Sequence, residues 1–405
     1  MDSAYNSQVL LSLLVSPSMQ RSSPYAWLST YLVGFFFTYG VYLPFWGLWF
    51  ESQHVDASDI GLLIGLGLAS RCIANLFITP RFSRMERILP ALRWMTIGAF
   101  ITLGAHLFTG QSFWLMATAT ILFNLFLGPI TPLTDSMANY YAKLKVLDYG
   151  RTRLWGSIAF VAGSTIVGYL VANFGSQMIL YTALFGTVVA YLLVLRTPAV
   201  VPTSETQTHQ PKVKLLALLR KPSVLRFIVL VSLIQGSHAA YYGFSAIHWK
   251  GAGISEDIIG YLWSLGVISE ILVFAMSRRW FSGFGLQALF TMASIGVMLR
   301  WGLTAATTDI VALVVVQSLH GVTFALAHIA AIRYIQMVPE VEMVPLQALY
   351  NALPMGAVLA LMTAVSGWGY QHYGSQVFWV MAVMGLIATV IKVSPKTKPV
   401  AQNAS

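Results

Sequence analysis

Eight ionisable side chains stand out inside stretches of this chain that are otherwise apolar: Arg71, Asp135, Arg153, Glu270, Arg300, His238, His320 and His328. Charge is expensive to place in hydrocarbon, so such residues mark solute or ion pathways, or pair with one another to fix packing. A carboxyl that alternates between apolar surroundings and a cation can load and release a proton. Glu270 is the first candidate for that role, with Arg300 as its natural cation and Asp135, His320 and His328 as further coupling candidates. Arg71, Arg153 and Arg300 are the groups able to hold an anion, and a carboxylate suits the guanidinium fork. Asp135, in PLTDSMANYY, and Arg153, in DYGRTRLWGS, flank one short connection and should pair. That pair reads either as an inner gate or binding contact, or as a lock on the loop. His320 and His328 are eight residues apart, about 80° around a helix, whereas Gln317 and His328 are eleven apart, about 20°, and should share one polar face. His238 stands beside Gln235 and Ser237 and is a possible cavity residue. Asn124 and Gln317 can bind hydroxyls, and Tyr39, Tyr42, Phe45, Trp46, Tyr241, Tyr242 and Trp263 can line a cavity for a flat solute. His106 and His372 receive no role.

The elements that must carry these residues are twelve apolar spans. They run approximately over 25–50, 59–79, 91–109, 113–140, 153–173, 177–195, 223–248, 258–277, 286–306, 310–336, 344–370 and 374–391. Each is about the 20 residues that the hydrocarbon requires. Composition agrees, with 57% hydrophobic and only 9% charged residues, where a soluble domain carries about 25% charged. Of the 24 Lys and Arg, 20, not counting Arg153, fall at the termini, in the gaps after even-numbered spans or within about four residues of those gaps. The positive-inside rule then puts both termini and the even gaps in the cytoplasm. Glu340 and Glu342 also fall on that inner side, but acids weigh little in the rule. The formal charge of +10 follows from these basic loops, which would face an anionic leaflet rather than nucleic acid. Cys72, the single cysteine, reads as a small buried hydrophobe. Neither Cys/His metal spacing nor a nucleotide loop or nucleophile motif is present, so the sequence points to neither an enzyme nor a metalloprotein. Uphill transport would draw on an ion gradient, without a cofactor.

The expected organisation is an N-terminal cytoplasmic segment 1–24, a six-helix bundle 25–195, a linker 196–222, a second bundle 223–391 and a tail 392–405. Residues 1–18 have the look of a mis-assigned start or a disordered segment, with Met19 as the alternative initiator. The linker is rich in Pro, Thr, Ser and Gln, as flexible linkers are. The two bundles repeat each other. YGVYLPFW (39–46) parallels YGFSAIHW (242–249), GLLIGLGLASR (61–71) parallels GYLWSLGVISE (260–270), and GYLVANFGSQ (168–177) parallels GWGYQHYGSQ (367–376). The last two matches share an offset of 199 residues. The fold class read from this is an all-α integral membrane protein of two parallel six-helix repeats, with the substrate site between them near the midplane. The repeat makes Arg71 and Glu270 equivalent positions, able to meet across the cavity or to pair with other groups. Pro44, Pro129, Pro132 and Pro354 should loosen helices, while Gly61, Gly65, Gly67, Gly156 and Gly163 permit close contacts.

The segments PLTDSMAN (132–139), LDYGRTRLWGSIAFVAGS (147–164), AAYYGFSAIHW (239–249) and GYLWSLGVISEI (260–271) resemble the 3-phenylpropionate (hydrocinnamate) transporter branch of the major facilitator superfamily. The likeness covers about residues 19–395. It implies a bacterial inner-membrane permease that imports phenylpropionate and cinnamate for catabolism. The branch is distantly similar to the lactose permease group of proton symporters, whose charges lie on helices 4, 5, 8, 9 and 10. Here Asp135, Arg153, Glu270, Arg300 and His320 fall on those helices. The acidic residue that lactose permeases carry beyond their helix-10 histidine is absent, since only His328 and Arg333 follow. The loop between spans 2 and 3, glycine- and aspartate-rich in much of the superfamily, reads TPRFSRMER and keeps only its basic residues. The expected function is monomeric import of aromatic carboxylates with protons. The alternatives are a sugar or nucleoside symporter, a drug exporter, and, from another class, a membrane sensor. The last would need a soluble output domain larger than the longest gap.

Overall fold

The computed structural model describes residues 22–82, 84–201, 203 and 215–394. The proposed Met19 start, most of the central linker and the end of the tail lie outside those residues. Among the described residues the protein is helical, apart from one isolated bridge between Ser22 and Pro198. Eleven helical runs are long and apolar enough to cross a membrane. The last, Glu340–Val390, has 51 residues and would be about 77 Å long if straight, more than twice a hydrocarbon core. It is two crossings. The chain reverses at Gly374, whose φ of 56° is a backbone state that glycine adopts freely.

The twelve crossings are α1 (Pro24–Ser52), α2 (Ala57–Phe82), α3 (Met85–Phe108), α4 (Phe113–Lys143), α5 (Tyr149–Phe174), α6 (Gln177–Leu195), α7 (Pro222–Gly251), α8 (Glu256–Phe281), α9 (Leu286–Ala306), α10 (Ile310–Met337), α11 (340–373) and α12 (Val377–Val390). Most boundaries fall within a few residues of those read from the sequence. α3 starts six residues earlier than expected because the helix continues past the apolar stretch through Glu86 and Arg87 into the interface. Helices satisfy their own backbone groups, as the hydrocarbon demands. Their outward faces carry exposed Leu, Val, Ile and Phe, with Trp94, Trp114, Trp280 and Trp368 also on the outside.

Two six-helix halves meet along α2 with α11, α5 with α8, and α1 with α7. Glycines repeated in the sequence make this seam. A methyl placed on Gly61 would sit 2.6 Å from Gly367 Cα and 2.9 Å from the Thr363 carbonyl oxygen. In the other half, a methyl on Gly260 would run into the Ser164 carbonyl oxygen and lie 3.5 Å from Gly168 Cα. Adding the 199-residue offset turns Gly61 into Gly260, and Gly168 and Ser164 into Gly367 and Thr363. The two contacts are therefore mates under a pseudo-two-fold axis. Ser264 adds hydrogen bonds across the seam to Ser164 and Thr165, each 2.9 Å. By contrast, the far ends of α4 (Ile130–Lys143) and α10 (Ala327–Met337) pack extensively only within their own halves. The molecule is sealed at the face of the α1–α2 and α7–α8 turns, and parted toward the face that carries residues 22 and 394. On the parted side Glu342 pairs with Lys221 at 2.5 Å, which accounts for an acid on the basic face.

Candidate functional site

In the N-terminal half α1, α2 and α4 bring Tyr39, Tyr42, Arg71 and Asn124 into one cluster. Arg71 Nη1 donates to the Tyr39 hydroxyl at 2.8 Å and Nη2 to Asn124 Oδ1 at 3.0 Å. The guanidinium also lies 5.2 Å from the Tyr39 ring centre. Asn124 is buried and both its donors are used, because its Nδ2 donates to the Tyr42 hydroxyl at 3.0 Å and to the Thr120 carbonyl at 2.9 Å. Among the described residues no carboxylate comes within ion-pair distance of Arg71. Its Nε is buried without a hydrogen-bond partner.

Arg71 opens onto a cavity between the halves, lined also by Tyr42, Leu43, Trp46, Ile64, Leu68, Asn124 and, from α7, Tyr242. The free space is about 20 Å³, enough for one water, whereas an aryl ring needs on the order of 150 Å³. Side chains or helices must part to admit a solute. The lining holds one full charge, and it is positive. It also holds donors without acceptors: Arg71 Nε and Trp46 Nε1 are both unpartnered, and the Tyr42 oxygen accepts from Asn124 while its own hydrogen has no acceptor among the described residues.

The C-terminal half builds a second, drier network. Arg300 is wholly buried. Its Nη1 donates to His320 Nδ1 at 2.8 Å and to the Thr323 hydroxyl at 3.1 Å, and its Nη2 donates to Gln317 Oε1 at 2.9 Å. It lies 4.6 Å from the Tyr241 ring centre and 4.3 Å from that of Trp301. Gln317 Nε2 donates to the Tyr241 hydroxyl at 2.9 Å and to the Leu262 carbonyl at 3.0 Å. A guanidinium cannot accept a hydrogen bond, so His320 Nδ1 is the acceptor and Nε2 carries the hydrogen. That Nε2 faces Glu270 Oε2 at 3.7 Å. His238 has the opposite tautomer: Nδ1 donates to the Ile234 carbonyl at 3.1 Å and Nε2 accepts from Thr323 at 3.2 Å.

Glu270 is therefore not paired with Arg300, as the sequence led one to expect. His320 stands between them and presents one nitrogen to each. Nor does Glu270 meet Arg71, which takes Tyr39 and Asn124 instead. The expected common face of Gln317 and His328 also fails. Gln317 joins Arg300, whereas His328 Nδ1 bonds the Tyr350 hydroxyl at 2.7 Å. The cause is a π-helical stretch, Gly321–Leu326, which turns less per residue than an α-helix and rotates everything after it. Arg300 does not line the cavity, so its assignment as a substrate contact does not fit this conformation.

Asp135 and Arg153 do meet. Their ion pair is 3.7 Å, with about a third of each side chain exposed. Tyr149 donates to Asp135 at 3.2 Å, and the Arg153 guanidinium lies 4.6 Å from the Phe36 ring centre. Sequence reasoning missed Thr323 and the apolar liners Leu43, Ile64 and Leu68. Thr323 stands three residues after His320, a polar spacing that could have found it. The liners carry no signal that separates them from packing residues.

Comparison with known proteins agrees with this architecture. The profile of the MFS_1 like family matches residues 25–381. The chain belongs to the major facilitator superfamily. It is 42% identical over 375 residues to the "Probable 3-phenylpropionic acid transporter" of Escherichia coli (strain K12), covering 92% of this chain and 98% of that protein. It is 23% identical over 339 residues to the maltose permease of Geobacillus stearothermophilus, covering 82% and 84%. Among solved structures, the nucleoside transporter NupG superposes with a TM-score of 0.77 at 17% identity, covering 90% of this chain and 97% of that one. The D-xylose-proton symporter superposes with a TM-score of 0.65 at 14% identity, covering 92% and 98%. The chain is thus a membrane transporter and not an enzyme. The superfamily's two-repeat build accounts for the glycine seam and for the cation–aromatic cavity between the halves.

Proposed function

We propose that this transporter imports 3-phenylpropionate and related aromatic carboxylates, driven by the proton gradient and without a cofactor. The observation that carries the reading is Arg71: a guanidinium without a counter-anion, facing a cavity built, apart from Asn124, of aromatic and aliphatic side chains. A carboxylate is an acceptor-only anion, and the cavity offers donors and one positive charge. The aryl ring would lie among Tyr42, Trp46 and Tyr242, where aromatic contacts favour offset or edge-on packing. A sugar fits less well, since its hydroxyl hydrogens would find no carboxylate among the lining groups. The relative from Escherichia coli supports the same substrate class.

For coupling, Glu270 is the proton carrier and His320 orients it. A proton added at His320 Nδ1 would displace the Arg300 hydrogen bond, while Glu270 has oxygens free to take one. Asp135 and Arg153 sit at the parted end and act as the inner gate. With the basic loops inside, the parted face is cytoplasmic, both termini are cytoplasmic, and the structure is inward-facing in a bacterial inner membrane. The transporter works as a monomer. Binding to purified protein, followed by tryptophan fluorescence, tests the substrate reading. Saturable binding of 3-phenylpropionate, with clearly weaker binding of 3-phenylpropanamide, is expected. Equal affinities would remove Arg71 from carboxylate recognition.

A further inference from the structure

Asn124 touches Arg71 but has no hydrogen-bond donor left for an anionic solute. Its Oδ1 accepts from Arg71 Nη2, and both Nδ2 hydrogens are spent on Tyr42 and on Thr120. The side chain is shut in on the other side as well, since a methyl on Gly67 would lie 2.6 Å from Nδ2. Gly128, one turn beyond Asn124, leaves room for the Arg71 stem, because a methyl there would lie 3.0 Å from Arg71 Cγ. The sequence offered Asn124 as a hydroxyl-binding contact, and this geometry gives it another task. We propose that Asn124 is a positioning and specificity residue. It holds the guanidinium by a neutral amide, so that the cation is fixed in place yet keeps its charge for the substrate. The inference rests on Arg71 being the partner of the carboxylate.

The choice of an amide over a carboxylate is the decisive point. An Asp at this position would be nearly isosteric. One carboxylate oxygen would accept from Arg71 Nη2. The other would accept from Tyr42, whose hydroxyl would turn its hydrogen away from the cavity. The Thr120 carbonyl would lose only an extra donor, since the helix backbone already serves it. Asn124→Asp should therefore fold. It would, however, neutralise Arg71 from within and withdraw a cavity donor, and the site would lose its preference for an anion. Asn124→Ala acts differently. It frees the guanidinium to move but leaves it charged, so affinity falls while the preference keeps its sign.

The test compares binding of 3-phenylpropionate and 3-phenylpropanamide to wild type, Asn124→Asp and Asn124→Ala, each checked for folding by size exclusion. A charge-assisted hydrogen bond exceeds a neutral one enough to predict a fall of about tenfold or more in the acid-to-amide preference of Asn124→Asp. Asn124→Ala should bind both ligands less tightly and still prefer the acid. A wild-type preference carried over unchanged into Asn124→Asp overturns the proposal. Equal losses for both ligands in both variants overturn it too, because a purely structural asparagine would give that result. A wild type with no preference for the acid is the failure of the Arg71 reading itself, and it is seen before any variant is made.

Discussion

Widening the glycine seam by one methyl should shift the transporter away from the conformation described. In Gly61→Ala the new Cβ would lie 2.6 Å from Gly367 Cα, against an ordinary carbon–carbon contact of about 3.5–4.0 Å. α2 and α11 must therefore separate by roughly 1 Å. Backbone rather than a side-chain tip is in the way, so little relaxation is available. Overpacking of this kind costs about 1–3 kcal/mol, and only the conformation sealed at this face bears it. The equilibrium should move toward the state parted there by roughly 5- to 150-fold. Gly260→Ala is the pseudo-symmetric mate and should act in the same direction. The assay places a cysteine at Ser264, which is buried in the seam, in a chain whose native thiol is removed by Cys72→Ala. A membrane-impermeant maleimide then reports access from the sealed face. Each glycine variant should raise the labelling rate within the stated range. Unchanged labelling in folded, membrane-inserted protein would refute the seam as the closed gate. A response from one mate alone would refute the symmetry argument.

Other perturbations separate roles that the sequence left together. Glu270→Gln should abolish uphill accumulation while substrate counterflow persists, and retained accumulation would remove Glu270 as proton carrier. Arg71→Ala should weaken carboxylate binding by about 10- to 100-fold, the scale of a lost charge-assisted contact, with the amide little affected in the same titration. Arg300→Ala should instead lower thermal stability strongly in detergent, because His320, Thr323 and Gln317 lose a buried donor at about 1–3 kcal/mol each. Asp135→Asn should change stability by less than about 1 kcal/mol, since about a third of each side chain in its pair with Arg153 is open to solvent, yet it should alter transport rate if the pair gates the cytoplasmic face.

Much of the frame was legible before any coordinates, and the reasons are physical. Membrane spans follow from length and apolarity, and the repeats that revealed the duplication turn out to contain the four glycines of the seam. Asp135 and Arg153 could be paired because a short connection fixes neighbouring helices. The Arg300 network was legible only in part. Helical angles between Gln317, His320 and His328 assume 3.6 residues per turn, and the π-helical stretch at 321–326 breaks that assumption without a sequence signature. Neither the burial of Arg300 behind His320 nor the opening of Arg71 onto the cavity can be read from a list of charges, since both depend on which helices face each other. Trp46 and Tyr42 could be named as candidates, but only packing separates them from the chain's other aromatics.

The central claim is proton-coupled import of an aromatic carboxylate. Its most direct test is uptake of labelled 3-phenylpropionate into proteoliposomes with and without an inward proton gradient, against empty liposomes that correct for passage of the protonated acid through lipid. Protein-dependent accumulation that collapses on adding a protonophore is the predicted result. Uptake no greater than in empty liposomes, from protein shown to be folded, would contradict it.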